Sequence, residues 1–253
     1  MKIYTYYEPL NNKPGNIHTF NHQEELLNLW RESWNKAGFE PCVVSLKDAQ
    51  KSPLFETLSD KMTYFFNQIT GKTLSAYGLH CFLRWLAYST IGNSDELILV
   101  SDYDVFNNGS KQNDWNFNYS YLTLFQGCCP SIASGAPRHF EALCKAFDEI
   151  TEERLSFLIE NASHYHDQDF FRFNFTQDHN KDYKSLCLKY NIDITNQHVQ
   201  TYRGTDLPTK AWHIPHSAAR FNLKLLPEYE HLDCADSIRV AAAKKILSNA
   251  YIP

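Results

Sequence analysis

No apolar run in this chain approaches twenty residues, so the sequence contains no spanning-helix signature and no transmembrane segment is expected. It opens MKIYTYYEPLNN, with one early Lys but no apolar core and no small-residue cleavage site. That opening reads as a first strand and not as a secretory signal. Basic charge is not in excess: 24 Lys+Arg against 29 Asp+Glu leave a formal net charge of −5, which disfavours a nucleic-acid partner. The seven cysteines (Cys42, Cys81, Cys128, Cys129, Cys144, Cys187, Cys234) are odd in number, scattered, and without a CxxC pair. They form neither a disulfide framework nor a zinc knuckle, and a reduced, cytoplasmic protein is the expectation. Internal repeats, low-complexity tracts and Gly/Ser linkers are missing too, so residues 1–253 read as a single domain.

What is present alternates between short apolar runs and helical periods. Lys2–Tyr7 alternates as a strand does. Asn21 offers a helix cap with Glu24 three residues on, and Leu26, Leu27, Trp30, Trp34 and Ala37 follow at helical spacing up to Gly38. Residues 41–46 form a second short strand, which makes the opening β–α–β with parallel strands. Residues 48–77 are mixed. His80–Ile91 reads as an apolar helix leading to Leu97-Ile-Leu-Val100, the pattern of a strand buried on both faces. A further strand is expected at 121–125 and a helix from Pro137. More helices are expected around Leu155, Leu158 and Ile159, over 182–190, and over 237–250.

Ser101-Asp102-Tyr103-Asp104 directly follows the apolar strand, which places two carboxylates at the carboxyl end of an interior strand. Ligands bind at that edge of open α/β sheets. Two like charges so close need a cation between them, and hard carboxylate oxygens suit Mg²⁺ or Mn²⁺. The bland alternative is that the pair caps a turn.

The stretch His80-Cys-Phe-Leu-Arg84-Trp-Leu-Ala-Tyr, then Gly92, then Leu97-Ile-Leu-Val-Ser-Asp102-Tyr-Asp104-Val resembles the Asp-x-Asp region of GT-A-fold glycosyltransferases. More narrowly, it resembles the sugar-binding transferases in which an Arg-bearing helix precedes a Gly-rich turn, a strand and the Asp-x-Asp. Two positions depart from that pattern: Cys81 stands where the family often has Asp, and a single Gly92 replaces a Gly-Gly turn. Further on, His166-Asp167-Gln168-Asp169 resembles the family's Asp-Gln-Asp segment, and Trp212-His213-Ile-Pro-His216 its late His motif.

The resemblance implies an α/β fold: a GT-A-like three-layer α/β/α domain with a mostly parallel central sheet. Residues 1–106 would form the nucleotide-sugar half and 107–253 the acceptor side. It implies that Arg84 contacts the nucleotide-sugar, that Asp102 and Asp104 hold Mn²⁺ or Mg²⁺ with Asp102 also touching the donor, and that His213 or His216 completes the metal site. Asp169 or Asp167 would be the catalytic carboxylate. The fold adds Thr5, Tyr6 and Tyr7 at the end of the first strand, Asp48 after the second, and Ser134-Gly135 before the helix at Pro137 as nucleotide-sugar contacts. The expected partners are a nucleotide-diphosphate sugar donor and a carbohydrate or other hydroxyl acceptor, in an inverting or a retaining reaction. Each residue also has an ordinary reading: Asp167 and Asp169 could cap a helix starting at Phe170, and Arg84 could be a surface charge packed through its stem. His164, His166, His213 and His216 could be plain packed or surface histidines. Two other functions compete: a haloacid-dehalogenase-type phosphatase with Asp102 as nucleophile, and a non-catalytic scaffold that binds nucleotide-sugar.

Overall fold

The aromatic, alternating start forms β1 (Lys2–Tyr6), and its pleat sends Ile3 to one layer of helices and Tyr4 and Tyr6 to the other. The structure, a computed structural model, describes residues 1–9, 22–70, 76–161, 166–195, 198–204 and 208–251. Asn21 and His164 lie outside the described residues, as do the side chains of Leu155, Leu158 and Ile159. After β1 the chain forms α1 (Gln23–Lys36), β2 (Glu40–Val44), α2 (Leu46–Ala49), α3 (Phe55–Thr70), α4 (Ala76–Ser89), β3 (Ile98–Ser101) and β4 (Val105–Asn107). The hairpin β5 (Leu122–Gln126) and β6 (Cys129–Gly135) follows, then α5 (Pro137–Asp148), α6 (Glu152–Asn161), α7 (Asp167–Phe175) and α8 (Tyr183–Tyr190). Three short strands, β7 (Ile192–Ile194), β8 (Val199–Thr201) and β9 (Ala211–His213), lead to α9 (His216–Phe221) and α10 (Ala235–Ala250).

Six strands form a central sheet in the order β2-β1-β3-β6-β5-β7, and three form a small sheet in the order β4-β9-β8. In the central sheet β6 runs antiparallel to both neighbours, while the other adjacent pairs are parallel. The sheet is therefore mostly parallel, with helices on both faces. Buried residues of α3, α4, α5 and α7 cover one face; those of α1, α10 and the small sheet cover the other. Burial on both faces is why β3 reads Ile-Leu-Val with no polar alternation.

Parallel pairing of β1 with β2 and β3 brings the carboxyl ends of all three to one edge. There α1 fixes the segment that carries the aspartates. Trp30 and Trp34 lie one turn apart, both fully buried. The Trp30 indole donates to Ser101 Oγ at 2.9 Å and that of Trp34 to the Val105 carbonyl at 3.0 Å, one on each side of residues 102–104.

Two expectations need correction, and one mixed stretch takes a definite form. Ser134-Gly135, expected as a nucleotide-sugar contact, lies inside β6 and away from the aspartates: β6 is antiparallel to β3, so Gly135 pairs with Ile98 and Ser134 with Leu99, at the opposite end of β3 from Asp102. The helix expected at Phe170 begins at Asp167, with His166 at its cap. The mixed stretch 48–77 contains all of α3, whose residues Leu58, Met62 and Phe65 reach the core at helical spacing.

Candidate functional site

Backbone pairing assembles the site. At the end of β3, Asp102 N–H donates to the Ser131 carbonyl at 2.7 Å, and Val105 N–H donates back to the Asp102 carbonyl at 3.1 Å, turning the chain into β4. β4 then pairs antiparallel with β9, which places Val105 opposite His213, while Ile214 N–H donates to the Asp104 carbonyl at 2.9 Å. This register brings one ligand atom each from Asp102, Asp104 and His213 within 4.8 Å of one another, although His213 is more than a hundred residues away in sequence.

The two oxygens of Asp104 face different surroundings. Oδ2 accepts from Arg239 Nη2 at 2.6 Å, and that guanidinium, itself buried, also donates to the Ile214 carbonyl at 2.9 Å and to Asp236 at 3.2 Å. Among the described residues, Oδ1 is buried without a hydrogen-bond partner. It faces His213 Nε2 at 3.6 Å, beyond hydrogen-bonding range. The other imidazole nitrogen, Nδ1, lies 2.9 Å from Gln126 Oε1 and 3.9 Å from Cys129 Sγ. Burial lowers the pKa of His213, with Arg239 and Arg84 acting in the same direction against Asp104, so a neutral imidazole is favoured. A neutral nitrogen beside carboxylate oxygens is a fitting donor set for a divalent cation. The unpartnered Oδ1 is the acceptor that such an ion would satisfy.

On the other side of β3, Arg84 is engaged through all three of its nitrogens. Nε and Nη2 donate to Asp167 Oδ2 at 3.0 and 2.6 Å, Nη2 also to the Pro130 carbonyl at 3.2 Å, and Nη1 to Asp102 Oδ1. The same Asp167 oxygen accepts from the Trp85 indole at 2.8 Å. Arg84 thus ties α4 to β3, β6 and α7. Burial raises the pKa of Asp102 to about 7, with Asp104 and Asp167 pushing the same way and Arg84 and Arg239 pulling it down. The linked pairs set four carboxylates (Asp102, Asp104, Asp167, Asp236) against two guanidiniums, leaving an acidic excess for a bound cation to offset.

The remaining sequence-derived candidates divide. Tyr6 and Tyr7 lie at the same edge: Tyr6 Oη is 2.7 Å from His80 Nδ1, and the Tyr7 ring meets Tyr103 edge-on at 5.7 Å. Thr5 is buried within β1, and its hydroxyl has no hydrogen-bond partner among the described residues. Asp169 sits in the first turn of α7 near His166, at 3.9 Å; its side chain is 13% exposed and burial raises its pKa. Asp48 uses its carboxylate locally, accepting from Lys51 Nζ at 2.7 Å and from the N–H of Ser45, the N-cap of α2, at 2.9 Å. His216 is not in the three-residue cluster; its Nε2 lies 3.2 Å from Asp236 Oδ1.

Sequence reasoning missed Gln126, Asp236 and Arg239. Arg239 had a signal: a charge between Ile238 and Val240 on a helix rich in alanine, where burial demands a partner. Gln126 had none, because its position depends on pairing between distant strands.

The crystal structure of the galactosyltransferase LgtC in complex with donor and acceptor sugar analogs is similar at 12% identity, with a TM-score of 0.44, covering 100% of this chain and 98% of that one. An active-site mutant of LgtC is similar at 10% identity, with the same TM-score and coverage. No curated protein matches the chain. A family model does, over residues 1–199, and on that match the chain belongs to the family described as Domain of unknown function (DUF8765).

Proposed function

We propose that this chain is a metal-dependent glycosyltransferase that moves a sugar from a nucleotide-diphosphate donor to a hydroxyl acceptor. The observation that carries the reading is the buried pair of Asp104 Oδ1 and His213 Nε2, facing each other at 3.6 Å beside Asp102 at the carboxyl edge of the sheet. The Asp-x-Asp sequence pattern supports it independently. Asp102, Asp104 and His213 would hold Mn²⁺ or Mg²⁺. When bound, that ion supplies Lewis-acid neutralisation of the charge on a departing diphosphate.

The chain's own residues divide the remaining work. Tyr7 and Tyr103 offer aromatic surface at the same edge for a base. Asp169, partly exposed and with a raised pKa, is the carboxylate that would take the acceptor's proton or support a cationic sugar centre. Asp167 is spent on Arg84 and Trp85 and serves as a strut. Arg84 acts on the donor only through Asp102, because its nitrogens are engaged within the protein.

Thermal-shift measurements with nucleoside diphosphates and nucleotide-sugars, with and without Mn²⁺, test the reading, because ligands that prefer the folded state raise its stability. At least one metal-dependent stabilisation, accompanied by slow donor hydrolysis, is expected. Binding without any turnover would point to a non-catalytic scaffold, and beryllofluoride capture at Asp102 to a phosphoryl-aspartate enzyme.

A further inference from the structure

The geometry points to Gln126 as a positioning residue that determines which imidazole nitrogen of His213 is offered to the cation. The inference rests on the cation reading above. Gln126 ends β5, where the register with β6 shifts between Leu124 and Gln126 and Gly127, at φ 58°, turns the chain back. Its amide nitrogen donates to Thr201 Oγ1 at 3.2 Å, on β8. In this orientation of the amide, its oxygen accepts from Ser131 Oγ and lies 2.9 Å from His213 Nδ1.

An amide oxygen only accepts, so with the amide oriented this way the short contact calls for the imidazole proton on Nδ1. Nε2 then carries the lone pair, 3.6 Å from the unpartnered Oδ1 of Asp104. Two acceptors held face to face in the interior are unfavourable by themselves and favourable around a cation. The opposite tautomer would turn a lone pair towards the Gln126 oxygen and leave no ligand nitrogen beside Asp104. Gln126, held by Thr201 and Ser131, therefore selects the metal-competent form, and it does so by joining the hairpin of the central sheet to the two strands of the small sheet. Removing such an acceptor behind a metal-bound imidazole typically costs about 10–100-fold in affinity.

Two readouts test this. Nitrogen NMR on the metal-free protein reports the His213 tautomer, with its signals assigned by their loss in His213→Gln. Electron paramagnetic resonance of free Mn²⁺ reports affinity. The wild type should carry the proton on Nδ1. Gln126→Leu should lose that preference and bind Mn²⁺ about 10–100-fold more weakly. Gln126→Glu, which restores an acceptor oxygen, should retain both properties, and Thr201→Val should shift both in the direction of Gln126→Leu, which keeps the test open if the leucine variant does not fold. A wild-type proton on Nε2, or unchanged tautomer and Mn²⁺ affinity in Gln126→Leu, overturns the inference. A wild type that binds no Mn²⁺ defeats the cation reading instead; the NMR comparison alone then decides whether Gln126 sets the tautomer.

Discussion

The two sides of the Asp102–Asp104 segment each use a buried arginine, to different ends. On the α4 side, Arg84 and the Trp85 indole place three donors on one oxygen of Asp167, and the guanidinium also reaches Asp102 and the Pro130 carbonyl. On the α10 side, Arg239 takes only Oδ2 of Asp104, and Oδ1 is left facing an imidazole nitrogen. The difference shows how to tell a strut from a ligand site. Where donors and acceptors are mutually saturated, the charges hold elements together. Where a buried acceptor is left over beside a neutral nitrogen, the fold retains an interaction for something it does not itself supply.

The contrast predicts that the strut side carries stability. Asp167→Ala removes one of the two carboxylates that Arg84 holds and strands an indole N–H, and should cost about 3–5 kcal/mol in urea unfolding, while the folded fraction still binds Mn²⁺. On the ligand side, Asp104→Asn keeps an acceptor for Arg239 while removing the charge. Mn²⁺ binding should disappear in a calorimetric titration, at a stability cost of about 1–3 kcal/mol. If the two variants exchange outcomes, the division between strut and ligand is wrong.

A smaller effect concerns pH. The folded chain holds the pKa of Asp102 at about 7, above its ordinary value of 3.8, so between those values the folded state binds more protons than the unfolded one. This group's contribution to stability is present at acid pH and is lost as pH rises through about 7. Mn²⁺ competes with that proton and needs His213 neutral as well, so the thermal shift it produces should grow from about pH 5.5 to about pH 8. A shift that does not change over that range would remove Asp102 and His213 from the ion's surroundings.

Much of the frame was legible in the sequence because local periodicity carries it. The aromatic alternation of β1, the Trp30–Trp34 face of α1, the apolar run of β3 and the Phe140–Phe147 face of α5 each reflect burial of one segment. The aspartates were legible because a polar pair directly after a buried strand has few other places to go. The antiparallel β6 was not, since its small residues and Pro130 carry little strand signal. Nor were β4, β8 and β9, of three residues each, although their pairing is what carries His213 to Asp104. The supporting side chains of Gln126 and Arg239 follow from that same long-range register and leave almost no local trace.

The most direct test is X-ray anomalous scattering from crystals grown with Mn²⁺ and a nucleoside diphosphate. The account predicts one strong manganese peak within coordinating distance of Asp102, Asp104 Oδ1 and His213 Nε2, with the diphosphate on its open side. A manganese peak elsewhere, or none, with Asp104 Oδ1 still facing the imidazole across an empty gap, would contradict it.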